Sequence, residues 1–172
     1  VYKMSWATYY IARALVSVGL LPGVAPGLAF GTQAPILDWL SAAVDLNFWP
    51  EQETERLASR YAFGLTAVSL GLCAEPFASA QVGLLVCGAG WLGSIHAVVF
   101  DLQPTAPGDR VWTAASAQLR LYVPLGPLRI SLGALAATPF TRHRFVATGR
   151  DQTIFQQAVL VGSADLGLGL RF

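Results

Sequence analysis

The chain has 172 residues, room for one domain but not comfortably for two. It is 54% hydrophobic and only 12% charged, with a mean hydropathy of +0.52, whereas ordinary soluble domains carry roughly 25% charged residues. A soluble core cannot bury that much apolar surface at this size, so the excess points to contact with lipid, and a net charge of +1 without basic runs among aromatics excludes nucleic acid as a partner.

The sequence opens at Val1 with no charged, apolar and small-residue succession of a leader, so it is expected to be processed or part of a longer precursor. Residues 1–9 read as a lead-in or tether. Beyond them the chain is punctuated on a short scale by Pro22-Gly23, Pro26-Gly27, Pro35, Pro50, Glu75-Pro76, Pro104, Pro107-Gly108, Pro124, Gly126-Pro127 and Pro139. A spanning helix needs about 20 apolar residues and a tilted spanning strand about 9 to 11, so the spacing favours strands. Only 82–100 approaches helical length, and Gly83, Gly88, Gly90, Gly93 and His96 make it a poor helix.

In chain order, strands are predicted over residues 10–20, 27–33, 40–48, 61–74, 81–91, 117–123, 128–132 and 160–172. Alternation is clear in four of them. Leu40, Val44, Leu46 and Phe48 oppose Ser41, Asp45 and Asn47; Leu119, Leu121 and Val123 oppose Gln118, Arg120 and Tyr122. Leu128, Ile130 and Leu132 oppose Arg129 and Ser131, while Leu160, Leu166, Leu168, Leu170 and Phe172 oppose Ser163, Asp165, Gly167, Gly169 and Arg171. One apolar and one polar parity per strand is the pattern of a barrel with lipid outside and a polar interior.

The fold class is therefore all-β, a transmembrane antiparallel up-and-down barrel of about eight strands over residues 10–172. Its connections alternate between short turns, at Ala34-Pro35, 75–79 and 124–127, and longer loops over 50–60, 92–109 and 141–156, with 21–26 as a short exception. Short turns face the periplasm in such barrels and long loops face outward, which puts both termini in the periplasm. Phe48, Trp49, Tyr61, Phe63, Trp91, Trp112 and Phe140 are expected to mark the outer interface and Phe172 the inner one.

The last eight residues, Asp165-Leu166-Gly167-Leu168-Gly169-Leu170-Arg171-Phe172, resemble the terminal signal of bacterial outer-membrane barrels, with Asp165, Gly167, Leu170 and Phe172 at its defining positions. The resemblance implies insertion into a Gram-negative outer membrane by the barrel-assembly machinery. Gly19-Leu20-Leu21-Pro22-Gly23, the pair Cys73 and Cys87, and Thr138-Pro139-Phe140-Thr141-Arg142-His143-Arg144-Phe145 together resemble small barrel proteins of myxobacteria that carry no assigned activity.

Few residues carry chemistry. Cys73 and Cys87 lie equidistant from Ala80 in a proposed hairpin, so a cross-strand disulfide is expected, with two inert thiols as the alternative. Arg13, Asp45, Arg120, Arg129, Asp165 and Arg171 fall on lumen parities, where a barrel of eight strands has room only for side chains that pair with one another. Arg142, His143, Arg144 and Arg150 form a basic outer loop suited to lipopolysaccharide phosphates, although a solvated loop or one folded onto the mouth fits equally. Ser94, His96 and Asp101 can be assembled on paper into a rim hydrolase acting on lipid A or phospholipid acyl chains, but their spacing does not show convergence. Glu51, Glu53 and Glu55 beside Arg56 and Arg60 read as a mixed surface. No metal and no cofactor is expected. The leading expectation is a non-enzymatic structural, anchoring or interaction module whose partners are outer-membrane lipid and lipopolysaccharide.

Overall fold

The computed structural model describes residues 7–56, 59–99, 109–147 and 152–172. Among the described residues ten strands follow one another: β1 (Tyr9–Val18), β2 (Val24–Leu37), β3 (Leu40–Arg56), β4 (Ser59–Ala78), β5 (Gly83–Val99), β6 (Arg110–Leu125), β7 (Leu128–Pro139), β8 (Arg144–Ala147), β9 (Gln152–Gln156) and β10 (Val161–Arg171). Eight close into an antiparallel barrel in the order β1-β10-β7-β6-β5-β4-β3-β2, and β8 with β9 forms a separate hairpin. Each of the eight predicted segments overlaps one barrel strand. Among the described residues no helix is long and apolar enough to cross a membrane. β1 starts at Tyr9, and residues 1–6, most of the segment read as a lead-in, lie outside the described residues.

Alternation is the cause of this arrangement. Leu119, Leu121, Ile130, Leu132, Leu166 and Leu168 are exposed on the outer face, while Arg120, Tyr122, Arg129, Ser131 and Asp165 are buried inside. So large an apolar surface, continuous around the strands, is stable in hydrocarbon and not in water. Closure leaves no edge along the spanning part: Tyr9 pairs with Arg171 and Val18 with Gly162, and the Phe172 amide donates to the Thr8 carbonyl at 3.0 Å. The Phe172 ring meets Tyr10 edge-on at 5.4 Å, on the outer surface at the end where β1 begins and β10 finishes. That end, with the short β2–β3, β4–β5 and β6–β7 turns, is termed the turn end; the opposite one is the lid end.

Two expectations are corrected. The segment 50–60 is not a long loop: β3 and β4 continue to Arg56 and Ser59, so β4 reaches 20 residues. Similarly β5 runs to Val99 and β2 to Leu37. Three of the prolines that suggested turns, Pro35, Pro50 and Pro76, sit at register shifts, between Pro35 and Leu37, Trp49 and Gln52, and Ala74 and Phe77. Proline lacks the ladder donor, and a bulge is where a strand tolerates that loss without ending. The second correction concerns aromatics. Trp49, Tyr61, Phe63 and Trp112 are at most 4% exposed and point into the barrel, with Trp91 packed against them. Their parity opposes that of Phe48, which does face out. Among the described residues the outward aromatics at the turn end are Tyr10, Trp39, Phe77 and Phe172.

Candidate functional site

The interior is filled by side chains above an open mouth of about 470 Å³ at the turn end. At the turn end Arg129 lies between the rings of Tyr9 and Tyr122, 4.0 and 3.9 Å from their centroids, and donates to Gln33 Oε1 at 3.4 Å. Tyr122 in turn donates to Glu75, and Gln33 to Ser41 Oγ at 2.6 Å. Beside this layer Cys73 and Cys87 face each other in register and form a disulfide with Cα atoms 4.0 Å apart. Arg171 is exposed at this mouth and lines it, apart from the deeper charges.

The next layer holds two ion pairs, Arg13 Nη2 with Asp45 Oδ1 at 2.5 Å and Arg120 Nε with Asp165 Oδ1 at 3.6 Å, while Gln118 donates to Asp165 Oδ2 at 2.8 Å. Each charged residue pairs in register with a glycine on a neighbouring strand: Arg13 with Gly167, Asp45 with Gly31, Arg129 with Gly169, and both Arg120 and Asp165 with Gly133. Gly133 is the clearest case. It lies on β7 between Arg120 of β6 and Asp165 of β10, and a Cβ there would run into the Asp165 carboxylate. Strands two apart are separated by roughly 10 Å, so the pair can meet only over a strand that presents no side chain. A cavity of about 40 Å³ borders Arg13, Asp45 and Asp165. That is space for one or two water molecules and not for a pore.

Toward the lid end the lining turns apolar. Trp49, Trp91 and Trp112 form a row with centroids 6.2 and 6.1 Å apart, and the indoles of Trp49 and Trp91 donate to Ser17 and Ser116. Above them Leu20, Leu21, Phe63, Leu65 and Ile95 are fully buried. The β8–β9 hairpin closes this end, with Phe145 and Phe155 on Phe63 at 4.9 and 5.4 Å. Its root is sewn down by Gln157, wholly buried, which donates to the Leu20 carbonyl, and by the Ala158 amide, which donates to Gly19 O at 3.1 Å. Gly19 has φ +80°, and a Cβ there would meet Ala158 Cβ at 2.9 Å, so the seat requires glycine.

The basic segment belongs to this lid. Arg142 donates to the Gln157 carbonyl at 3.3 Å, His143 Nε2 lies 2.7 Å from Val111 O, and Arg144 Nε donates to Thr153 Oγ1 at 2.8 Å. Arg142 and Arg144 remain exposed, and Arg150 lies outside the described residues. Ser94 and His96 are half-buried on the outer face of β5, and Asp101 too lies outside the described residues. His96 Nδ1 contacts Asp109 Oδ1 at 2.9 Å instead. Among the described residues no group of His, Cys, Asp and Glu has the arrangement of a metal site.

Beyond the barrel wall stands a ridge. Pairing of β2 with β3 stops at Leu28 and Phe48, whereas β3 goes on with β4 as far as Arg56 and Ser59, and β4 with β5 as far as Tyr61 and Val99. Glu51, Glu53 and Glu55 are exposed on its outer side, with Gln52 and Thr54 on the other parity. The ridge was not visible in the sequence, although the alternation of Glu51, Glu53 and Glu55 was the available signal for it, and the lid corresponds to the alternative in which the basic loop folds onto the mouth.

No protein-family model matches the chain, and a comparison with functionally characterised proteins finds no match. Solved structures do share the fold. The chain is similar to a major outer-membrane protein of Thermus thermophilus (TM-score 0.66, 14% identity, 98% of this chain and 100% of that one). It is similar also to neisserial surface protein A (TM-score 0.63, 13% identity, 97% of each chain). A third is Ail, the attachment invasion locus protein of Yersinia pestis (TM-score 0.59, 14% identity, 98% and 100%). At such identities the likeness establishes the fold, a small outer-membrane type of β-barrel, and nothing finer.

Proposed function

We propose that the chain is a non-enzymatic outer-membrane module that anchors and displays a surface, and that it is not a channel. One observation carries the reading: charge pairs, a tryptophan row and a seated lid occupy the lumen in succession, while the ridge projects past the wall. In planar bilayers the purified barrel should give no steady current. A large stable conductance would overturn the assignment.

In this reading both termini are periplasmic, and the ridge and lid face outward, where exposed Arg142 and Arg144 meet lipopolysaccharide phosphates. Phe172, on the outer face beside Tyr10, is then the residue that the barrel-assembly machinery reads at the end of β10. Deleting it should lower the fraction of chain inserted in cells, and normal assembly of the shortened chain would remove the terminal signal from the account.

A second reading is favoured by one contact. The Asp109 carboxylate on His96 Nδ1 orients the imidazole as in a hydrolase, with Ser94 two residues away on the same outer face. Mass spectrometry of lipid A from cells with and without the protein tests it. Identical acyl chains would leave His96 as a surface residue.

A further inference from the structure

We propose that the slot between β3 and the lid hairpin takes an extended segment of another protein, which adds to β3 as a strand and carries Lys or Arg at every second position. The proposal rests on the interaction-module reading above and names the partner's chemistry.

Two strand edges create the slot. From Gln52 to Arg56, β3 pairs with β4 alone, and β9 pairs with β8 alone, so among the described residues each has one side without a neighbouring strand. Both edges border the same groove, about 520 Å³, with Glu53 and Thr54 on one flank, Ile154, Phe155 and Gln156 on the other, and Leu21 at its base. An unpaired edge presents alternating amide donors and carbonyl acceptors, which a further strand satisfies in register. Six or seven extended residues would span it, roughly 20 Å.

Charge selects the occupant. Side chains on an added strand lie about 4.5–5.5 Å from those opposite on the same face. On the exposed face these are Glu51, Glu53 and Glu55. Across β3 on the β4 side, Glu55 faces Arg60 but Glu53 faces Ala62, and Glu51 packs over Gly64, so the row retains net negative charge. Lys or Arg at alternate positions complements it. The other face of the added strand meets Ile154 and Phe155 and suits small apolar side chains. A second copy of this chain is disfavoured at the same edge, because β3 against β3 would set glutamates against glutamates.

The test uses the full chain in lipid nanodiscs and three labelled nine-residue peptides: alternating Lys and Val, the same composition with the lysines in one block, and alternating Glu and Val. Fluorescence anisotropy should show the alternating Lys peptide binding most tightly, and hydrogen exchange should slow at amides of residues 52–56. The triple variant Glu51→Gln, Glu53→Gln, Glu55→Gln should bind it about tenfold more weakly, the sum expected of three exposed ion pairs. Equal binding of the blocked peptide, or protection only outside 52–56, would overturn the assignment as diffuse charge attraction. If no peptide binds while the barrel stays closed in planar bilayers, the slot falls and the module reading survives; a conducting barrel defeats that reading whatever the peptides do.

Discussion

The two halves of the barrel interior solve the same filling problem with opposite chemistry. Toward the turn end the lumen is held by Arg13, Asp45, Arg120, Asp165 and Arg129, each placed against a glycine; toward the lid end it is held by Trp49, Trp91, Trp112, Phe63 and buried leucines. A charged interior is specified pair by pair, because every ion taken from water needs its partner at the right distance. An apolar interior is specified by volume and tolerates exchange of one hydrocarbon for another. The halves should therefore fail differently.

The largest effect is expected where a single partner is removed. Asp165→Leu leaves Arg120 buried without its counter-ion and should cost about 3–5 kcal/mol, whereas the double change Asp165→Leu with Arg120→Met should be close to neutral. Urea unfolding in lipid vesicles, followed by tryptophan fluorescence, measures both. Equal stability of the single variant and the parent would show that the charged half is not coupled, and the contrast between the halves would dissolve.

Next comes the disulfide that braces the turn end. Replacing Cys73 and Cys87 by Ala should cost roughly 3 kcal/mol, given the short loop that the bond closes in the unfolded chain. The cost should be the same in reducing buffer without the substitutions. A smaller penalty of about 1–3 kcal/mol is expected for Gly133→Ala, whose methyl group would displace the Asp165 carboxylate from its place between β6 and β10. Combining Gly133→Ala with Asp165→Leu and Arg120→Met should abolish that penalty, since nothing charged then needs the gap. Persistence of the penalty would mean that the glycine serves backbone geometry instead.

How much of this was legible in the sequence follows from the same physics. Alternation is a local property with period two, so the Leu166, Leu168, Leu170 face and the Asp165, Gly167, Gly169 face could be assigned without any partner strand. The Cys73–Cys87 pair was readable because a hairpin's symmetry fixes its register. The glycine opposite each charge was not. Gly133 is 32 residues from Asp165 and acquires meaning only once β7 and β10 are in register. Proline misled at Pro50 and Pro76 because a missing donor ends a strand in one context and makes a bulge in another. The inward indoles were in fact implied by parity, since Phe48 outward requires Trp49 inward; the general preference of aromatics for interfaces outweighed that local rule. A lid was only one of three readings for the basic loop, because Phe145 and Phe155 find their contact, Phe63, about ninety residues away in the chain.

The smallest effect on stability is expected at the lid, and it discriminates most sharply between the halves. Phe145 and Phe155 bury their rings on Phe63 at the margin of the apolar half, while the row of Trp49, Trp91 and Trp112 lies deeper. Substituting both by Ala should release the hairpin locally, so that amides in β8 and β9 exchange faster. Global unfolding should shift by less than about 1 kcal/mol, because a segment near the low end of local stability contributes little to the cooperative unit. The barrel should remain non-conducting, since the tryptophans and the ion pairs below them still fill the section. If current appears, the lid is itself the seal, and the apolar half depends on one covering hairpin in the way that the charged half depends on its pairs.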